Sequence, residues 1–377
     1  MSDKMLPATL FDDVRSLIEG SRLQVARVVN NELVQLYWRI GHRIHVDLLK
    51  EQRAEYGEQI ISSLSEQLTP TYGRTFHRSN LHRIVKFATV FPDESIVVTL
   101  SQQLSWSHFL ALLPIKDPLA RNFYSEMCRY EQWSVRTLRR KVQGMLFERT
   151  ALSKKPEVLA QQELEALRKE DRMTPDLVFR DPYMLDFLGL HEAYSEADLE
   201  SAILRELQAF ILELGSDFTF AGRQKRIVIG GEDFYIDLLF YHRGLRRLIV
   251  IELKLGAFRA ADKGQVELYL RWLDKYERRE EEKAPLGLIL CASKQEPVVE
   301  LLELEGSGIH VAEYLTELPA RELLEQKLLM AIRNARAQAA NRALLSDNMM
   351  EARATGQVTG QVTGQVTGSA APPKEEP

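Results

Sequence analysis

Apolar positions along the chain change their period once. From residue 10 they recur at helical spacing, as Leu10, Val14, Leu17 and Ile18, and then as Leu33, Leu36, Tyr37, Ile40 and Ile44. The spacing predicts three helices within residues 10–68, the third from Gly57 to Leu68 and closed by Thr69-Pro70. Ser79-Asn80 reads as an N-cap for a helix over Leu81–Phe91, which Pro92 stops. Leu104–Leu113 reads as a short helix, and Phe123–Phe147 alternates apolar and basic positions in a helical manner. No strand pattern occurs before residue 170.

After Leu152-Ser153-Lys154-Lys155-Pro156 the pattern changes. A charged helix over Gln161–Glu170 is followed by Thr174-Pro175-Asp176 and Arg180-Asp181-Pro182, which punctuate like a connector. Asp198–Leu214 is an amphipathic helix ended by Gly215. Strands are then expected at Phe218–Ile229, Phe234–Tyr241 and Arg247–Leu253, a helix at Ala260–Tyr276, and a buried strand at Leu286–Cys291. A helix at Pro297–Leu304, a last strand at Gly308–Tyr314 and a helix at Arg321–Ala340 complete the order. The unit Thr355-Gly356-Gln357-Val358 recurs at Thr359 and Thr363 and begins again at Thr367-Gly368; so Gly- and Thr-rich a repeat cannot bury a core and is expected to be flexible. The organisation that follows is a helical N-terminal domain over 1–155, a connector over 156–195, an α/β domain over 196–335 and a tail over 336–377.

Composition narrows the chemistry only a little. Lys and Arg number 49 against 54 Asp and Glu, so the net charge of −5 excludes a protein that coats nucleic acid through overall positive charge, while leaving room for local basic patches. The two cysteines, Cys128 and Cys291, have no partner at metal-ligand spacing and read as buried thiols. The first residues reach Asp12 and Asp13 before any long apolar run, and no apolar stretch approaches the roughly 20 residues needed to cross a bilayer. A cytoplasmic protein without a membrane partner is the expectation.

The informative stretch is Phe234–Lys254. Two β-rich runs flank a turn containing Gly244, the signal of a hairpin. With Gly244 and Leu245 as the loop, Asp237 falls opposite Glu252. Side chains alternate along a strand, so Asp237, Glu252 and Lys254 share one face, while Ile236, Leu238, Phe240, Ile251 and Leu253 line the other and belong in the core. Two acids opposed on a sheet repel, and burial makes their charge costly. A divalent cation removes the conflict, and magnesium (or manganese) suits oxygen donors. Lys254 could then orient or help deprotonate a water. The competing reading is a solvated hairpin face with a weak Glu252–Lys254 ion pair.

Asp237 followed by Glu252-Leu253-Lys254 in adjacent strands of an α-β-β-β-α-β order resembles the PD-(D/E)XK nuclease superfamily. The likeness is closer still to bacterial YhcG-like nucleases, and it covers nearly all of residues 10–335. It includes Leu104-Ser105-Trp106-Ser107-His108-Phe109, Asp181-Pro182-Tyr183 and Ile236-Asp237-Leu238-Leu239-Phe240-Tyr241-His242. The resemblance implies a helical N-terminal domain, whose helix, polar turn and capped helix around residues 71–90 read as helix-turn-helix-like, and a restriction-endonuclease-like α/β core with a mixed central sheet. It implies metal-dependent hydrolysis of phosphodiester bonds in nucleic acid, DNA foremost. Asp237 and Glu252 would be metal ligands, Lys254 the catalytic lysine, and Glu206 a further acid on the first core helix, with Glu213 as runner-up. Ile236 stands where the superfamily's name places a proline, a frequent departure. Gln265 and Tyr269, four residues apart on the next helix, resemble the Gln-x-x-x-Tyr motif of exonuclease-like members; the plainer reading is a core tyrosine beside an incidental glutamine.

Basic residues gather away from the acids. Arg78, His82 and Lys86 recur every fourth residue on the helix after a polar turn, the pattern of a groove-reading helix or of an ordinary solvated face. Arg136, Arg139, Arg140 and Lys141 form a second cluster, which either contacts phosphates or flanks Trp133 and Val142 in a bundle. Arg223, Lys225 and Arg226 lie on the first core strand and are candidates for phosphate contacts. His108 and His242 lack partners at ligand spacing and are expected to be structural. A second class of function is a noncatalytic nucleic-acid-binding or assembly protein that keeps the core as a scaffold. A third has the N-terminal helices mainly binding protein, which would place a nuclease within a defence or mobile-element system; a homo-oligomer is a separate open alternative for the chain as a whole.

Overall fold

The computed structural model describes residues 8–51, 54–190, 194–215, 217–304 and 306–356. Six strands form one mixed sheet: β1 Tyr183–Met184, β2 Phe218–Ile229, β3 Glu232–His242, β4 Arg247–Ala257, β5 Leu286–Ser293 and β6 Ile309–Leu315. Their order is β1-β6-β5-β4-β3-β2. β2, β3 and β4 run antiparallel, whereas β4, β5, β6 and β1 are parallel. Parallel neighbours need crossovers, and the helices Ala260–Tyr276 and Glu296–Leu301 supply two of them.

Each face of the sheet carries its own core. One face, with Leu238, Phe240, Ile249, Ile251 and Leu288, is continuous with the helical region through Phe210, Leu199, Tyr183, Phe147, Phe123 and Phe87, as far as Val34. The other, with Leu239, Val250 and Ile289, takes Val266, Tyr269, Leu270 and Leu273 of the Ala260–Tyr276 helix.

Several helical boundaries differ from the periodicity, each for a local reason. The first two expected helices are one, Ala8–Glu51, and Gly41 inside it allows close packing: a Cβ there would stand 2.1 Å from the Ile84 carbonyl oxygen. The helix Ala54–Tyr72 runs past Pro70 and stops before Gly73, which has φ +84°. Helix Arg78–Val90 is capped by extended His77, while the Asn80 amide instead donates to the Thr75 carbonyl at 2.7 Å. An unexpected helix, Glu94–Ser101, begins at Asp93, whose carboxylate accepts from the Ser95 N–H. Phe123–Phe147 is broken into Pro118–Tyr130, Val135–Gln143 and Leu146–Arg149, with Gln132 and Met145 at positive φ. The first core helix is likewise two, Glu196–Arg205 and Leu207–Leu214, bent at Glu206.

The segment 156–195 does more than connect. Its helix Glu157–Glu170 buries Ala160, Leu164 and Leu167 in the shared core, and its strand β1 closes the edge of the sheet against β6. The last helix, Arg321–Gly356, continues well beyond residue 336 and packs Leu324 and Leu328 on Met145. The remaining Thr-Gly-Gln-Val repeats, from Gln357 on, lie outside the described residues. Cys128 and Cys291 are buried free thiols. No helix among the described residues is long and apolar enough to cross a membrane.

Candidate metal and catalytic centre

The hairpin register is the expected one, but the turn is not. Pairs run from His242↔Arg247 to Leu238↔Ile251. The loop is the four residues Arg243–Arg246, closed by Arg246 at φ +55° and by the Leu245 N–H donating to His242 Nδ1 at 3.0 Å. Beyond Leu238 the β3–β4 ladder ends. Asp237 Oδ2 instead accepts the N–H of Leu253 at 2.9 Å, so a side chain takes a ladder hydrogen bond. Freed from β4, the start of β3 turns its side chains: Ile236 packs with Ile227 and Val250, in the opposite core from Leu238 and Phe240. The expectation that these three share a face is corrected on that ground.

Asp237, Glu252 and Lys254 do come together. Glu252 is only 2% exposed. Its Oε1 accepts from Lys254 Nζ at 2.9 Å, while its Oε2 is buried without a hydrogen-bond partner among the described residues. Burial and the neighbouring Asp237 charge push the Glu252 carboxyl up to about 7. Burial also raises Asp237, against the hydrogen bonds from Leu253 and Gln224. Lys254 is held above its ordinary value because Glu252 outweighs the burial that opposes its charge.

Gln265 and Tyr269 join the same network. Lys254 Nζ is 3.4 Å from Gln265 Oε1, and Gln265 Nε2 donates to the Tyr269 hydroxyl at 2.7 Å. A lysine only donates, so the amide oxygen must face it and the amide nitrogen must face the tyrosine. Tyr269 is also core, packed with Val266 and Leu273, so both readings of this pair apply at once.

The two acids expected on the first core helix, Glu206 and its runner-up Glu213, do not join this network. Glu206 sits exposed at the bend between the two helical pieces, and Glu213 is locked to Arg149 and Arg180 and accepts the N–H of Met184 in β1. The helix Glu196–Arg205 instead presents Glu196 and Glu200. Gln224 bridges Glu200 Oε2 (2.7 Å) and Asp237 Oδ1 (3.2 Å), and Glu196 Oε1 accepts the N–H of Leu255 at 3.3 Å. Their i,i+4 spacing, one helical turn apart, is the sequence signal that could have found them. Gln224 carried no such signal; it reaches the site from a kink in β2, where its φ is +43°.

The donor chemistry fits a hard divalent cation. Two adjacent carboxylates, one with an orphaned buried oxygen, are driven toward protonation unless a positive centre joins them. Among the described residues no group of three His, Cys, Asp or Glu side chains gathers in ligand geometry. Asp237 and Glu252 are the carboxylates placed to hold such an ion, with waters completing its coordination.

The basic candidates are mostly paired. Arg78 Nη2 lies 2.5 Å and His82 Nε2 3.5 Å from Glu58 Oε2, while Lys86 is exposed. Lys225 pairs with Glu277 and Arg226 with Asp233, both at 2.9 Å; Arg223 is exposed and pairs in the ladder with Leu238, next to Asp237. Lys141 lies over the Trp133 ring and donates to the Leu212 carbonyl, the bundle role. His108 and His242 are structural, bonded to Ser105 and Trp133, and to Leu245.

Two family models match the chain: the DUF1016 N-terminal domain over residues 13–149 and the YhcG PDDEXK nuclease domain over residues 176–329. The chain is 34% identical over 352 residues to "Putative nuclease YhcG" of Escherichia coli (strain K12), covering 85% of this chain and 93% of that protein. Among solved structures, a repair endonuclease from Pyrococcus abyssi matches with TM-score 0.23, and an EndoMS–double-stranded DNA complex with 0.25. Both are 20% identical over 34% of this chain, which spans about half the length of each (50% and 49%).

Proposed function

The chain belongs to the YhcG family of PDDEXK nucleases, and we propose that it is a metal-dependent phosphodiesterase that cuts DNA. The observation that carries this reading is the buried Glu252 beside Asp237, with one oxygen on Lys254 and the other without a partner. A scaffold has no physical need for that arrangement, because removing either charge would relieve it.

A divalent cation held by Asp237 and Glu252 would offset phosphate charge and lower the pKa of a water. The protein's own groups do the rest. Glu252 and Gln265 fix the Lys254 ammonium at two points, so its charge and protons are oriented before substrate arrives. Tyr269 holds Gln265, and Gln224 with the Leu253 N–H holds Asp237. Arg223, beside the site on β2, is the first candidate to hold the nucleic-acid backbone; Lys225 and Arg226 would have to exchange Glu277 and Asp233 for phosphates. In the helical region, Lys86 would contact phosphate directly, with Arg78 and His82 released from Glu58. The choice of DNA rests on the likeness of Gln265 and Tyr269 to the exonuclease-like motif.

The test is incubation of the purified chain with linear, circular and single-stranded DNA and with RNA, with and without magnesium or manganese, beside Asp237→Ala. Metal-dependent DNA cleavage absent from the variant is the expected result. Cleavage that survives Asp237→Ala would sink the site, and salt-sensitive binding without cleavage of any substrate would turn the reading to a scaffold.

A further inference from the structure

The helix Ala8–Glu51 is two helices in its surroundings. Its later part buries Val34, Tyr37, Trp38, Gly41 and Ile44 against the bundle. Over residues 12–29 every described side chain is exposed, a length of roughly 27 Å at the α-helical rise. That stretch is not polar. Val14, Leu17, Ile18, Val25, Val28 and Val29 are all exposed, Leu17 by 73%. At about 100° per residue they fall, with Ser21, within an arc of roughly 120°. The centre of that arc lies on the opposite side of the helix from the face that Val34, Tyr37, Trp38 and Ile44 bury, so it does not continue the bundle core. Valine is a poor helix former, and an isolated helix this short is marginal in water. The stripe needs a cover.

The charges say which cover. Residues 12–19 carry Asp12, Asp13, Arg15 and Glu19, net −2, and residues 22–30 carry Arg22 and Arg27, net +2. A copy of the same helix laid antiparallel sets each acidic half beside a basic half, twice; laid parallel, it sets like beside like. Centred on Ser21, the antiparallel register opposes Val14 to Val28 and Leu17 to Val25 across the two-fold axis. Asp13 and, further round the helix, Arg27 lie beyond one edge of the stripe, and Arg22 and, further round, Glu19 beyond the other. In antiparallel pairs each edge meets its own counterpart, which brings Asp13 to Arg27 and Glu19 to Arg22 of the second copy. Glu19 now pairs with Arg15 at 2.9 Å, an exposed contact that costs little to exchange. Ser21, within the stripe, is the small residue at the crossing.

We propose that this protein forms an antiparallel two-fold dimer through residues 12–29, the partner being a second copy of the chain. The interface is isologous and closed, so it ends at two copies.

The full-length protein is measured by sedimentation equilibrium up to about 0.1 mM, a range that reveals even weak dimers. The expected mass is that of two chains. Asp13→Lys with Glu19→Lys makes both halves positive, and Arg22→Glu with Arg27→Glu makes both negative. Each double variant alone should dimerise at least tenfold more weakly, and an equimolar mixture should recover the two-chain mass. All four positions are exposed, and circular dichroism checks that the fold is unchanged. Under mild oxidation Ser21→Cys should cross-link and Val14→Cys should not. A monomeric wild-type chain, self-association unmoved by either charge variant, or cross-linking through Val14→Cys instead of Ser21→Cys would each overturn the proposal.

Discussion

Buried acids occur in two settings in this fold, and they are treated oppositely. At the seam between the helical region and the sheet, Asp181 accepts from Lys154 Nζ at 2.7 Å, from Lys294 Nζ at 2.5 Å and from the Glu313 N–H at 3.1 Å. Although burial opposes its charge, the two lysines hold its carboxyl well below the usual range. Glu213, between Arg149 and Arg180, is likewise lowered. At the edge of β3 and β4, Asp237 and Glu252 share one lysine, both are raised, and one oxygen is left over. The seam acids are satisfied by the chain itself; the hairpin acids lack positive charge. Deficits of this kind cluster at functional sites, whereas a satisfied buried pair fixes geometry.

The contrast can be broken most sharply at the hairpin. Glu252→Gln and Lys254→Ala should each lower DNA cleavage by on the order of 10³-fold, the usual cost of a lost charge-stabilising group. Urea unfolding should show Glu252→Gln as stable as the wild type or more so, because it removes a repulsion with Asp237. A large loss of stability there would mean that Glu252 is a structural acid after all.

The seam should respond the other way. Asp181→Ala leaves two lysines facing each other and should cost about 3–5 kcal/mol in urea unfolding. The kcat of the folded fraction should change little. Equal losses in activity and stability at both places would erase the distinction.

Acid should weaken the same buried framework. Burial lowers His242 from 6.5 to about 4, with Arg247 adding to that and Glu131 opposing it, and its Nδ1 must stay unprotonated to accept from Leu245. A group lowered on folding contributes stability that is complete above its unfolded value and lost as pH falls toward its folded one. Unfolding free energy should therefore drop by about 3 kcal/mol between pH 6.5 and pH 4 on account of this residue. Asp181 and Glu213 add further losses below their unfolded values of 3.8 and 4.5, in the same direction. His242→Gln should flatten the upper part of that curve.

Two smaller effects sharpen the comparison. Magnesium at ten times its dissociation constant should stabilise the wild type by about 1.4 kcal/mol, read as a rise in Tm, and should leave Asp237→Asn unmoved. Glu206→Ala, at an exposed bend, should stay within about 0.5 kcal/mol of wild type in stability, with unchanged cleavage. Glu200→Ala, which frees Gln224 from one of its two carboxylates, should lower cleavage; equal behaviour of the two variants would remove Glu200 from the site.

Legibility followed the range of the interactions. The two β-rich runs and the turn between them were enough to place Asp237 and Glu252 in register, because a one-residue slip would have moved Leu238, Phe240 and Ile251 out of the core they share and into the packing of the other face. That pattern misjudged the loop, since the four-residue turn is held by the His242 ring and by Arg246 in a left-handed conformation. It also misjudged Ile236, because the β3–β4 ladder ends at Leu238 and this part of β3 pairs only with β2, which is kinked at Gln224. Glu206 was chosen as the acid on a helix read as continuous; the bend at that residue turns the helix, and Glu196 and Glu200 reach the site instead.

The amino-acid order alone determined the change from a helical region to an α/β one beyond residue 195, the succession of the five longer strands and the approach of Asp237, Glu252 and Lys254, because these follow from side-chain period and from pairs close in sequence. Tertiary structure decided the rest. It joined the helical region and the sheet in one core, satisfied Asp181 with Lys154 and Lys294 from distant parts of the chain, and left Glu252 Oε2 without a partner. Whether a buried carboxylate finds enough positive charge depends on which distant side chains fold around it, and local patterning carries no record of that.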